Sequence, residues 1–168
     1  MNIKKVISEW LAEATQHECF GVIYFDVDDF RWHNDSFGHA FGDRTLQRIE
    51  EKIDNNVPSD NAHWLRTGGN TYFIMLLGSH ANNTFKLAET LRSSVEGLNI
   101  KLIENPAIYP KDQVQWLSDT VTVSVGTYIQ NTQPLNRFYE WSLLELAEAA
   151  CRFAKHAGKN KVINIDMR

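Results

Sequence analysis

The segment Phe20-Gly-Val-Ile-Tyr-Phe25 constrains the fold more than any other. It is nearly continuously apolar, rich in β-forming residues, and ends in Asp26, Asp28 and Asp29. A run of this kind reads as a strand buried on both faces. Carboxylates at the end of a buried strand are costly unless a metal or a basic ligand compensates them. Side chains alternate along a strand, so Asp26 and Asp28 share a face if the strand continues. Oxygen ligands there suit Mg²⁺, which takes few protein carboxylates and shares its shell with substrate phosphates. An acidic turn after a strand explains the same residues, and by themselves they leave both readings open.

The flanking sequence supplies the elements that such a strand needs as neighbours. Ile3, Val6, Ile7, Trp10, Leu11 and Ala14 recur at helical spacing, so a leading helix is expected within residues 1–17. A polar, glycine-containing stretch runs from Asn34 to Gly42, and a second helical period starts at Asp43 and stops before Val57-Pro58. Residues 63–77 read as two short strands split by Gly68-Gly69, with Phe73–Leu77 as the buried arm. A helix is expected over 82–96. An irregular insertion follows over 98–118, with a strand-like start at Leu98–Ile103 and Trp116 as a candidate contact residue. Thr120–Ile129 is a β-branched strand, Trp141–His156 a helix stopped by Gly158, and Lys161–Ile165 a last strand. This order is a mixed α/β (α+β) fold. Its β-α-β-β-α-β core is ferredoxin-like, with a mostly antiparallel sheet flanked by helices.

Composition narrows the class further. A chain of 168 residues, 43% hydrophobic and 23% charged, is expected to form a single domain over 1–168 with a core that needs no staples. Cys19 and Cys151 are too few for a disulfide framework and read as reduced thiols of a cytoplasmic protein. The net charge of −4 argues against a DNA-binding surface. No apolar run approaches the ~18 residues of a membrane span, so no membrane partner is expected.

Four blocks in order carry a resemblance. Asp26-Val-Asp-Asp-Phe-Arg-Trp-His-Asn-Asp-Ser-Phe-Gly-His-Ala-Phe-Gly-Asp43 is similar to the first signature of the GGDEF domain family, the diguanylate cyclases, with Arg31 where the family has Lys. Arg66-Thr-Gly-Gly-Asn-Thr-Tyr72 stands at the name-giving motif, Val121-Thr-Val-Ser-Val-Gly126 at a strand motif, and Ala147–Asn160 at a helix block. The resemblance implies a nucleotide-cyclase or palm-type fold. It implies that Asp26 and the Val27 carbonyl hold Mg²⁺, and that Asn34 and Asp43 hydrogen-bond the guanine edge. A carboxylate at position 43 can accept from both N1–H and the N2 amino group of guanine, a pattern that adenine lacks. Lys155 and Lys159 match residues that hold the triphosphate, and Phe30 and Arg31 approach the phosphates through backbone amides. His33 and His39 need not be ligands, and His39, which follows a family pattern, reads as structural.

The departures matter as much as the matches. Asn70 replaces the family's second metal ligand, though its amide can still offer a neutral carbonyl oxygen. Thr71 replaces the Glu used in activating the 3′-hydroxyl, and a threonine accepts no proton at neutral pH. Loss of a general base costs about 10²–10⁴ in rate, so a degenerate domain that binds GTP without making cyclic di-GMP is expected. Asp28 or Asp29 could instead supply the lost carboxylate, which gives an alternative reading as a weak cyclase or GTP hydrolase. A protein-interaction scaffold without nucleotide is a third. Gly68 and Gly69 read as a backbone requirement of the hairpin. The family's product-inhibition motif is replaced by Ser-Asp-Asn-Ala over Ser59–Ala62. The family's lead-in before the first helix is also missing. In the family that lead-in helps to orient the dimer, so its absence counts against productive dimerisation. The partners expected are GTP or a related guanine nucleotide and a protein supplying sensor or output, with a homodimer left open.

Overall fold

The computed structural model describes residues 3–98, 121–131 and 140–166. In chain order these form α1 (Ile3–Ala14), β1 (Cys19–Val27), α2 (Phe30–Phe37), α3 (His39–Asn56), β2 (Ala62–Arg66) and β3 (Thr71–Leu77). A 3-10 turn (Gly78–Asn83), α4 (Thr84–Glu96), β4 (Val123–Asn131), α5 (Glu140–His156) and β5 (Val162–Asp166) complete the order. The insertion expected beyond Leu98, with its strand start and Trp116, lies outside the described residues.

The strands form one sheet in the order β2-β3-β1-β4-β5. β1 lies at its centre, antiparallel to β3 on one side and β4 on the other, with Asp26 opposite both Thr71 and Ser124. β2 is antiparallel to β3, and only β5 joins in parallel, alongside β4. Each of the two crossovers, β1 to β2 and β3 to β4, therefore encloses one intervening strand, as the ferredoxin-like reading requires.

Both faces of β1 are covered, which explains its continuous apolar run. On one face Phe20 and Val22 pack with Phe73, Met75 and Tyr128 under Ile7 and Leu11 of α1 and Ala147 of α5. On the other, Ile23, Phe25 and Val27 pack with Tyr72, Ile74 and Val125 under Phe41, Ile49 and Ile53 of α3 and Leu91 and Val95 of α4. The ends of β1, β3, β4 and α5 are thereby brought to a single edge.

The polar stretch over Asn34–Gly42 proves to be helical. Gly38, at φ 84°, separates α2 from α3, and the two helices pack through Phe37 and Phe41. Phe30, His33, Phe37 and Phe41 recur at helical spacing across that break. The hydrophilic residues between them masked the period.

Candidate functional site

Asp26, the last β1 residue before Val27, is mostly buried. Its Oδ1 accepts hydrogen bonds from the Lys155 ammonium at 2.6 Å and the Asn70 amide nitrogen at 2.7 Å. The same Asn70 nitrogen donates to the Val27 carbonyl at 3.1 Å, and the Val27 N–H donates back to the Asn70 carbonyl at 3.0 Å. Burial pushes the Asp26 carboxyl up, against the opposing pull of Lys155 and Asn70. Burial likewise holds the Cys151 thiol up at about 12, so this neighbour is an inert core thiol rather than a nucleophile.

Lys155 reaches Asp26 from the last turn of α5, which ends in a Schellman motif. Lys159 N–H bonds to Ala154 O and Gly158 N–H to Lys155 O, with Gly158 at φ 103°. The chain then holds Lys159 and Asn160 in the left-handed region, at φ 62° and 46°, facing Asp29 at φ 52°. Lys159 Nζ bonds both Asp29 oxygens at 2.7 and 2.8 Å, and this contact raises the lysine's pKa.

Asp28 has a different task. It is 2% exposed and accepts from the hydroxyls of Thr122 and Ser124, at 2.8 and 2.7 Å, and from the Asn160 backbone N–H at 3.2 Å. It ties the end of β1 to β4 and to the loop after α5. With its oxygens committed in this way, and Asp29 paired with Lys159, neither acid replaces the lost carboxylate in this arrangement. Asp28→Asn sets an amide against hydroxyl donors, and the expected loss is about 1.5 kcal/mol, the scale of a weakened charge-assisted bond. Urea unfolding of the two proteins measures it.

The helical side of the site is built on Gly42. Asn34 is half-buried against it, and a Cβ at Gly42 would overlap the Asn34 side-chain oxygen and lie 3.1 Å from Phe30. That oxygen is buried and has no hydrogen-bond donor among the described residues. Asp43 follows Gly42 at the exposed surface of α3. Phe30 opens α2, whereas Arg31 is fully exposed, 3.8 Å from Asp35. Buried His33 stacks with Phe37 and lies tilted against Phe41, and burial lowers its pKa.

The hairpin corrects two expectations. Asn70 turns its nitrogen, not its oxygen, toward Asp26 and Val27, because both are acceptors. Neither Gly68 nor Gly69 has positive φ, and a Cβ on Gly69 would meet nothing. At Gly68 a Cβ would instead lie 2.7 Å from the Thr71 hydroxyl, so crowding rather than backbone freedom keeps that position small. Thr71 itself shares a 2.9 Å hydroxyl contact with Thr67.

A hard cation would need oxygen donors here. Asp26 and the Val27 carbonyl are such donors, but both already accept from one amide nitrogen, and Lys155 covers Asp26 as well. No cluster of three or more His, Cys, Asp or Glu side chains able to hold a metal occurs among the described residues. As arranged, this donor set does not fit a resident Mg²⁺.

A ferredoxin-like sheet whose central strand ends in a partly buried, lysine-paired acid beside a glycine hairpin defines a class. Residues 2–161 match the family model described as "Diguanylate cyclase, GGDEF domain", and the chain belongs to that family. Diguanylate cyclase DosC of Escherichia coli is 31% identical over 141 residues, which cover 84% of this chain and 27% of that protein. The chain thus spans about a quarter of that relative's length. Among solved structures, the coiled coil and GGDEF domain of DgcB from Caulobacter crescentus in complex with c-di-GMP superposes with a TM-score of 0.76 at 20% identity, covering 96% of this chain and 78% of that one. Diguanylate cyclase SiaD of Pseudomonas aeruginosa, in complex with its activator SiaC, gives 0.75 at 23% identity, covering 96% and 57%. These likenesses establish the fold. Cyclases of the family are generally Mg²⁺-dependent. No helix among the described residues is long and apolar enough to cross a membrane.

Proposed function

We propose that this chain is a catalytically silent GGDEF domain that binds a guanine nucleotide and serves as a regulatory or partner-binding module in cyclic di-GMP signalling. The observation that carries this reading is the exchange at Asn70 and Thr71. An amide donates to Asp26 where the family resemblance implies a second carboxylate, and a hydroxyl follows where it implies a general base. Nucleotide recognition is supported by the side chains that remain. The Asn34 oxygen is an acceptor without a donor among the described residues, Asp43 is an exposed carboxylate one residue past Gly42, and Lys155 and Lys159 gather positive charge at the end of β1. Each lysine has three N–H donors and can bridge its aspartate to a phosphate oxygen.

Calorimetry with GTP and with ATP, followed by chromatography of the incubated mixture, tests the proposal. Heat with GTP alone and recovery of unchanged GTP is the expected result. A guanine product would favour the enzyme reading, and absence of heat would leave the interaction scaffold. Asp43→Ala is expected to weaken GTP binding by about 1–3 kcal/mol, the scale of hydrogen bonds to a charged group. An untouched affinity removes Asp43 from the guanine site.

A further inference from the structure

We infer that the phosphate end of this site is built to work without a divalent cation, its place being taken by the Asn70 amide and the Lys155 ammonium. The Asn70 nitrogen lies 2.7 Å from the Asp26 carboxylate and 3.1 Å from the Val27 carbonyl, bridging the two oxygens that a cation would share. Its two N–H donors match two acceptors, so the amide nitrogen is fully used. The paired main-chain bond from Val27 to Asn70 fixes that residue at the end of the turn, just before β3.

Charge points the same way. Asp26 and Lys155 cancel, so the Asp26–Asn70–Lys155 cluster is neutral. Two acids beside the same lysine would carry a net negative charge and attract Mg²⁺. A divalent ion entering the present cluster would have to break the hydrogen bonds at both oxygens, and the neighbouring charge left unbalanced, the Asp28 carboxylate, is itself taken up by hydroxyl and N–H donors. For a polyphosphate, the ammonium is the local cation. The cation half of this inference stands alone, and its nucleotide half rests on the guanine-nucleotide reading.

Free Mn²⁺, followed by its electron paramagnetic resonance signal, is titrated with the full chain and with two variants. The native protein is expected to take up none below about 1 mM, the weak end of oxygen-ligand sites. Asn70→Asp is expected to bind one Mn²⁺ at least about tenfold more tightly, since even changes to residues that only orient a metal's ligands shift affinity by about that much. Uptake by the native chain that disappears in Asp26→Asn overturns the inference, and so does a folded Asn70→Asp that gains no site. Should Asn70→Asp fail to fold by circular dichroism, the native chain and Asp26→Asn decide alone. GTP titrated in EDTA and in Mg²⁺ is expected to bind within about threefold of the same affinity. Binding only with Mg²⁺ overturns the inference. Silence in both buffers counts against the nucleotide reading, and the Mn²⁺ result still decides this one.

Discussion

Gly126→Ala is expected to lower the unfolding free energy by about 3 kcal/mol or more, at or beyond the upper range for overpacked cores. It is also expected to pull Lys155 away from Asp26. A Cβ at Gly126 would overlap the Ala147 carbonyl oxygen, lie 2.5 Å from the Cys151 backbone nitrogen and 2.8 Å from the Ala150 methyl. Two of these three are main-chain atoms, which no rotamer change can move. The helix face that meets β4 is already minimal, with Ala147, Ala150, Cys151 and Ala154 all buried. The Cys151 thiol also donates to the Ser124 carbonyl at 3.1 Å. Only a shift of α5 relieves the overlap, and α5 carries Lys155. Urea unfolding measures the loss, with Gly69→Ala as the control. A Cβ there meets nothing, so a change within about 0.5 kcal/mol is expected. Equal stability of the two variants would show that α5 can slide freely on the sheet.

The same contact shows why some of this molecule was legible in its sequence. The apolar run of β1, the hairpin arm Phe73–Leu77 and the alanine-rich α5 are each dictated by burial on a known face, and burial leaves a periodic mark. Gly158 was readable as the stop of α5 because a left-handed C′ position favours glycine. The helix α2 was not legible. Asp29, Asn34, Asp35 and Ser36 hide a four-residue aromatic period, and the break at Gly38 falls inside it.

At the site, the strand-end position singled out Asp26, the family resemblance implied Asn34, Asp43, Lys155 and Lys159, and the structure gathers Asp26, Asn70 and Lys155 into one contact cluster. What spacing could not convey was direction. Whether an asparagine offers nitrogen or oxygen depends on its partners, and both partners of Asn70 turned out to be acceptors. The division of labour among the three aspartates was equally hidden. Asp28 is taken by donors from β4 and from the loop after α5, which lie 94 to 132 positions away in the chain. The signal for it was nonetheless present: Thr122 and Ser124 alternate on a strand, and a hydroxyl pair of that spacing can satisfy a buried carboxylate.

Asn70→Asp combined with Thr71→Glu is expected to raise formation of cyclic di-GMP from GTP and Mg²⁺ by at least about 10²-fold, the lower bound for restoring a general base. Thr71 begins β3 directly opposite Asp26, and its hydroxyl contact with Thr67 is the main anchor that a glutamate would give up. Gly68 carries no side chain beside the Thr71 hydroxyl, so no Cβ crowds position 71 from that side of the turn. The two changes are not interchangeable. Asn70→Asp alone restores charge for a cation but no base. Thr71→Glu alone supplies a base beside a cluster already closed by the amide. The gain is therefore expected to exceed the product of the single effects, because each group is useful only when the other is in place. Chromatography of the four proteins incubated with GTP measures it. A folded double variant that binds Mn²⁺ and GTP yet yields no product would show that Asn70 and Thr71 are not what silences the domain, and would move the cause to how two copies meet.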